Sequence, residues 1–370
     1  MIELAGPVLG PEEKQAVLDV LDSGWLTMGE KVRAFERKFA DMHGGMDALG
    51  VNSCTSALHL ALLALGITDQ DEVIVPTVTF VATVNAVLYT GARPVMADIT
   101  DPAVPLLLPE NAAPLVGPRT RAVVVVHYGG YEADMAAWRA FCDRHGLYLV
   151  VDAAHATGAA FAARDADAAC FSFFPNKNMT TAEGGMLLAR DPEVLARARG
   201  LRSHGMTTLT LERHKGHAYS YDVTMLGHNY RLDEIRAALG MVQLDRLPAM
   251  NARRAELSAL YRELLEHQLP QVEMTFQAAW PTAAHLVTVL LPEDADRLMV
   301  MKGLRERKVQ SSIHYPPVHL FTCHRDLLGD VSLPVSEEYC RRTLTLPLHP
   351  GLSEEDVAYV VDSLDAALRD

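Results

Sequence analysis

The sequence predicts an α/β fold: a large, mostly parallel sheet covered by helices, followed by a smaller C-terminal α/β domain. Three observations predict it. Short apolar strands alternate with helical stretches between Glu72 and Phe174, the pattern of strands joined by crossover helices. A long helical pattern from Leu232 to His267 then separates that region from a C-terminal one with few strands. Finally, 370 residues is a length that suits two domains. The division is placed at residues 12–247 and 248–370, with residues 1–11 against the smaller unit.

The elements follow in order. "GPEEKQAVLDVLDSG" reads as a helix: Pro11 suits the first turn, Glu12 and Glu13 favour its positive end, and Gly24 closes it. Val32, Phe35, Phe39 and Met42 recur at helical spacing up to "HGG". The strands are "EVIVP", "RPVMADI", "RAVVVVH", "LYLVVDAAH" and "ACFSFF". Between them "TSALHLALLALG", "FVATVNAVLYTG" and "DMAAWRAFCDRHG" read as helices, each closing near a glycine. The long helical pattern carries Pro248, where a kink is expected. Beyond it "HLVTVLL" and "VQSSIHYP" suggest strands and "EEDVAYVVDSLDAAL" a covering helix.

A formal charge of −14 argues against a nucleic-acid or anionic-membrane partner, which would need a basic face. A small anionic ligand is compatible with it, because a local site can be positive on an acidic protein. Five scattered cysteines without C-x-x-C spacing point to reduced thiols, not to a disulfide framework or a cysteine metal site. The start, "MIELAGPVLGPEEK", has no basic region followed by an apolar core, and no apolar run reaches membrane-spanning length. A soluble cytoplasmic protein without a metal is expected.

The chemistry centres on a lysine. The chain has seven, Lys14, Lys31, Lys38, Lys177, Lys215, Lys302 and Lys308, and between Lys38 and Lys215 every other basic residue is arginine or histidine. An isolated lysine in "FSFFPNKNMTTAEGGM" suggests an amine that loses its proton and attacks a carbonyl, which guanidinium does not do. Ligands in parallel sheets bind beyond the carboxyl ends of the strands, and the other polar motifs fall there. Asp152 ends the strand "LYLVVD" and needs a partner for its charge. Ser53, Thr55 and Ser56 precede an apolar helix, where N–H groups, hydroxyls and the helix dipole suit a phosphate. Phe80 follows another strand, and His155 lies just after Asp152.

Each feature alone has an ordinary reading as a loop cation, a cap, a core ring or a structural histidine. Together they fit pyridoxal phosphate: an amine for its aldehyde, a carboxylate for its ring nitrogen, a helix start for its phosphate and a ring to stack on.

The motifs in order resemble the DegT/StrS family of nucleotide-sugar aminotransferases, pyridoxal-phosphate enzymes of fold type I. "SGWLTMGEKVRAFE", "SCTSALHLAL", "PTVTFVAT", "VVVVHYGG", "VDAAHATGA", "FSFFPNKNMTTAEGGM" and "GHNYRLDEIRAALGMVQL" carry the resemblance nearly end to end. Cys54 and Ala182 stand where glycine is common, and Val151 where an acid is usual. The resemblance implies that Lys177 is the Schiff-base lysine and Asp152 the partner of the pyridinium nitrogen. It implies that Phe80 and Ala154 enclose the ring and that His155 reaches its phenolic oxygen. Thr55, Ser56 and Ser172 would hold the phosphate, joined by Asn229 from a second subunit, which implies a homodimer with shared sites. On looser analogy, Thr27, Tyr128, Arg231, His314 and Tyr315 would meet the substrate.

The function implied is transfer of an amino group from an amino acid, with glutamate favoured, to a ketone of a nucleotide-linked deoxysugar. A dTDP-4-keto-6-deoxyhexose aminated at C4 is preferred over a C3 ketone or an inosose. Rival readings are a pyridoxamine-phosphate-dependent sugar dehydratase, whose relatives carry histidine in place of this lysine, and a regulatory homologue without activity.

Overall fold

The computed structural model describes residues 1–207 and 220–370, so Lys215 lies outside the described residues. The large sheet has seven strands: β1 (Ala48–Val51), β2 (Glu72–Pro76), β3 (Arg93–Ala97), β4 (Thr120–Val126), β5 (Tyr148–Asp152), β6 (Ala168–Ser172) and β7 (Gly185–Ala189). Their order is β1-β7-β6-β5-β4-β2-β3. Strands β3, β2, β4, β5 and β6 pair in parallel, whereas β7 is antiparallel to both β6 and β1. The five predicted strands are all present. β1 and β7 were not among them: "ALGV" and "GMLLA" are too short and too rich in glycine and alanine to stand out as apolar runs.

Side chains alternate between the two faces, as the pleat requires. In β4, Val123 and Val125 join a core with Val32, Phe35 and Phe39 of the helix Glu30–Met42 and with Trp138 of the helix Met135–His145. Ala122 and Val124 face the opposite core, with Leu58 of the helix Cys54–Ala64 and Val84 of the helix Val81–Tyr89. Burying both faces explains why these strands read as continuous apolar runs. Each fully buried Leu, Val or Phe contributes about 1.5–3 kcal/mol relative to exposure.

The helix Glu234–Gln268 is 35 residues long and runs uninterrupted through Pro248. At its start the buried Glu234 carboxylate accepts from the N–H groups of Gly29, Lys31 and Val32, each at 2.9 Å. Those are donors that the first turn of a helix cannot satisfy internally. The clamp fixes the loop that carries Thr27.

The C-terminal region holds an antiparallel sheet of β8 (Glu273–Met274), β9 (Val287–Leu290) and β10 (Thr343–Leu346), ordered β10-β9-β8. "VQSSIHYP" does not form the expected strand. Val309 makes a single bridge to Ile2, and Ser312 one to Thr345, while "TLTL" takes the sheet position as β10. The N-terminus lies on this region: Leu4 N–H donates to Gln310 Oε1 at 3.0 Å, and Leu348 N–H to the Leu4 carbonyl at 3.0 Å. Among the described residues, no helix is long and apolar enough to cross a membrane.

Candidate active site

Strand β5 delivers Asp152 to the carboxyl edge of the sheet, where it is buried. Its Oδ2 accepts from Thr83 Oγ1 at 2.7 Å, and its Oδ1 accepts from the Ala154 N–H at 3.1 Å, with the Cys54 thiol 3.9 Å away. Burial pushes its pKa up, and Thr83, the Ala154 N–H and the nearby Lys177 charge oppose that rise.

Lys177 sits in the loop between β6 and β7, which is tied to itself. Phe173 N–H donates to the Gly184 carbonyl, Thr181 N–H to the Phe173 carbonyl, and Thr180 Oγ1 to the same Phe173 carbonyl, each at 3.0 Å. Ala182, at the position where the family motif has glycine, adopts a left-handed backbone with φ 66°. Asn178 anchors the loop to the long helix, its amide donating to Asn251 Oδ1 and to the Ala283 carbonyl, both at 2.8 Å. Lys177 is half-buried. Burial lowers its amine from 10.5 to about 8, against the pull of Asp152 and Cys54. At pH 7 that raises the unprotonated fraction by about 300-fold over an ordinary lysine.

Ser53 caps the helix Cys54–Ala64, its Oγ accepting from the Ser56 N–H at 3.1 Å, while Ser56 Oγ donates to Asn52 Oδ1 at 2.7 Å. This helix start abuts β7 because Gly185 has no side chain; a Cβ there would lie 2.5 Å from the Ser53 carbonyl carbon. Ser172 closes β6, buried, with its Oγ accepting from the Phe174 N–H at 3.4 Å. Phe80 stands at the start of its helix, 56% exposed although it is a large apolar ring. Its ring centre is 5.7 Å from that of Tyr315.

His155 accepts from the Gly129 N–H at Nδ1, 3.2 Å away. The neutral ring therefore carries its proton on Nε2 and donates to Tyr315 Oη at 3.0 Å. Burial, reinforced by the Lys177 charge, keeps this histidine well below its usual pKa. Burial, again with Lys177, brings His314 to about 4, and His314 Nδ1 is 2.8 Å from Thr345 Oγ1.

The structure thus gathers Asp152, Ala154, His155, Lys177, His314 and Tyr315 into one electrostatically coupled cluster, with Phe80 against Tyr315. Other residues stand further out. Tyr128 is fully buried, its hydroxyl donating to the His314 carbonyl and lying 2.8 Å from Tyr339 Oη, so it holds a wall of the site. Asn229 is exposed and bridged to Ser203, and Arg231 is bridged to Val51 at the end of β1. Thr27 is half-buried in the loop clamped by Glu234.

The profile of the DegT/DnrJ/EryC1/StrS aminotransferase family matches residues 7–365. The chain belongs to that family. A relative from Bacillus subtilis (strain 168), the spore coat polysaccharide biosynthesis protein SpsC, is 38% identical over 97% of this chain and 95% of its own length. The crystal structure of the aminotransferase TlmJ from Streptoalloteichus hindustanus superposes with a TM-score of 0.91 at 34% identity, covering 100% of this chain and 99% of that one. The structure of Spr1654 from Streptococcus pneumoniae, in its PLP form, gives 0.91 at 27% identity, covering 100% and 98%.

As a member of this family the chain is a pyridoxal-phosphate-dependent aminotransferase of sugars. The residues present fit that cofactor. A buried carboxylate at a strand end suits a protonated ring nitrogen, a capped helix start suits a phosphate, and an exposed aromatic ring beside Tyr315 suits stacking. Two participants escaped the sequence reading. Thr83 holds Asp152, and His285 packs its ring 4.4 Å from His155. Thr83 lies in the quoted motif "PTVTFVAT", but only the strand order β5-β4-β2 brings that motif within reach of Asp152.

Proposed function

We propose that this aminotransferase moves an amino group from glutamate to the C4 ketone of a dTDP-4-keto-6-deoxyhexose. The observation that carries the reading is a buried Asp152 carboxylate, held by Thr83 and the Ala154 N–H, near enough to the Lys177 amine for the two charges to act on each other. A sugar ketone as acceptor is supported by the family. The polysaccharide role named for SpsC is in keeping with it.

When bound, the cofactor supplies an aldehyde that takes up an amine and a ring that takes up a carbanion's electrons. In this reading Asp152 keeps a proton on the ring nitrogen, through a charge-assisted bond of about 1.5–3 kcal/mol. His155 would turn its one N–H, at Nε2, from Tyr315 Oη to the phenolic oxygen. Phe80 and Ala154 enclose the ring, and Thr55, Ser56 and Ser172 hold the phosphate at the helix start. Lys177 Nζ would take a proton from one of the two carbons that flank the transferred nitrogen and deliver it to the other on the same face of the site. Arg231 draws the diphosphate, and Thr27, His314 and Tyr315 complete the substrate side; Tyr128, expected there from the sequence, is fully buried and acts only by backing His314. Asn229 enters the phosphate site of a second copy, making the active unit a homodimer. Residues 12–247 form the cofactor-holding domain and 248–370 the smaller one.

A lysine at position 177 counts against the dehydratase reading, in which histidine takes its place. The test is a panel of 3-keto and 4-keto nucleotide sugars and an inosose, mixed with pyridoxamine-phosphate-loaded protein. Return of the lysine-bound cofactor's absorbance with the 4-keto dTDP sugar is expected. A response confined to a 3-keto sugar or the inosose would move the acceptor, and silence with the whole panel would end the reading.

A further inference from the structure

Of the two residues that flank Lys177, Asn178 bonds one imidazole and Asn176 lines a cavity with it. His285, 3% exposed, precedes β9 and places its Nδ1 2.8 Å from Asn178 Oδ1. The amide nitrogen of Asn178 donates to the Ala283 carbonyl, which fixes the amide's orientation and makes Oδ1 the acceptor. His285 Nδ1 therefore carries a proton. Burial, with His155 and Lys177 close by, holds this ring well below its usual pKa, so it is neutral and its Nε2 is an acceptor.

That Nε2 is buried and has no hydrogen-bond partner in the protein. Across Lys177, the Oδ1 of Asn176 is in the same condition. Both residues line one small cavity, together with Leu4, His314 and Leu348. Its free volume of about 10 Å³, swept by the centre of a water-sized sphere, suits a single water molecule. Two acceptors cannot satisfy each other, whereas one water donates a hydrogen to each.

We propose that His285 is a positioning residue for Lys177, holding Asn178 directly through Nδ1–H and Asn176 through one buried water on Nε2. Both neighbours of the lysine then hang on a single side chain, which fixes the loop on each side of the amine. The N-terminal segment, through Leu4, helps to seal the water in. The inference rests on the reading of Lys177 as the reacting amine, although the water site itself does not.

The test has two arms. A high-resolution crystal structure of the cofactor-free protein should show a water peak between Asn176 Oδ1 and His285 Nε2. The second arm follows the rate at which cofactor-free protein condenses with pyridoxal phosphate, trapped by borohydride and mapped to Lys177. His285→Gln puts an amide near the Nε2 position and keeps the water arm, His285→Asn puts one near Nδ1 and keeps the Asn178 arm, and His285→Leu removes both. Each single-arm variant should slow labelling by about tenfold, with the leucine variant slower still. The pH midpoint of the rate should move up from about 8 as the amine becomes better solvated, a change that a mere loss of stability would not produce. If the leucine variant does not fold, the other two still decide. An absent water peak, a direct Asn176–His285 contact, or wild-type rates and midpoints in both single-arm variants would overturn the proposal. Labelling of the wild type on a lysine other than Lys177 would instead overturn the assigned reaction and leave the water site to stand on its crystallographic arm.

Discussion

Thr83 donates its hydroxyl hydrogen to Asp152 Oδ2 at 2.7 Å, and Thr79 Oγ1, 2.7 Å from Thr83 Oγ1, supplies the donor behind it. The three side chains form a relay from the end of β2, through the start of the helix Val81–Tyr89, to the end of β5. It fixes one carboxylate oxygen and leaves Oδ1, with only the Ala154 N–H and a distant thiol, as the oxygen with capacity to spare. A hydrogen bond to a charged group is worth about 1.5–3 kcal/mol. Thr83→Val should therefore weaken retention of pyridoxal phosphate by roughly ten- to hundredfold, and Thr83→Ser should restore most of it. Titrating cofactor into the cofactor-free variants measures this directly. An unchanged dissociation constant in the valine variant would mean that Asp152 is aimed by the backbone alone.

The lysine sets a pH dependence. Only the neutral amine attacks an aldehyde, and burial lowers the Lys177 amine to about 8. Below that value the rate of condensation with pyridoxal phosphate should rise about tenfold per pH unit, and above it the rate should flatten. Stopped-flow absorbance across the range reads the midpoint. A rate that keeps climbing to the ordinary lysine value would show that the amine is solvated and that burial does not govern it.

Much of this site could be read from residue order, and the reasons differ by residue. Asp152 was visible because a carboxylate ending an apolar run needs a partner, and Lys177 because it is isolated in a long arginine-using stretch. Thr83 and His285 were not visible, since a threonine inside a helix start and a histidine before a strand have ordinary structural uses. Their roles arise only when β2, β4 and β5 line up and β9 swings behind the lysine loop. The buried parallel strands were legible as apolar runs. β1 and β7 were not, because runs of four or five residues that include a glycine carry no usable period, although β7 lets the start of the helix Cys54–Ala64 come close through Gly185.

Ala182 gives a prediction about stability. Its φ of 66° costs an L-residue with a Cβ roughly 1–2 kcal/mol that glycine avoids, while glycine loses about 0.4–1 kcal/mol through the freedom of the unfolded chain. The balance favours Ala182→Gly by about 0.5–1 kcal/mol. Urea unfolding of the cofactor-free protein should show a higher midpoint with an unchanged slope. A lower midpoint would mean that the alanine methyl makes contacts worth more than the backbone strain.

Asn229 tests the shared site. It is exposed, held by a backbone bridge to Ser203, and follows His228, whose ring stacks on Tyr230 at 4.7 Å. Its exposure leaves the side chain open to a second copy, as the proposed homodimer requires. If it completes that copy's phosphate site, hybrids of a Lys177→Ala chain with an Asn229→Ala chain regain one intact site. The lysine then comes from one chain and the asparagine from the other, while the second site lacks both. At a cofactor concentration that leaves the Asn229→Ala homodimer largely empty, the purified hybrid should show about half the activity of the wild type. A hybrid no better than the mean of the two parent homodimers would mean that each site is built from one chain, and the cross-subunit role of Asn229 would be abandoned.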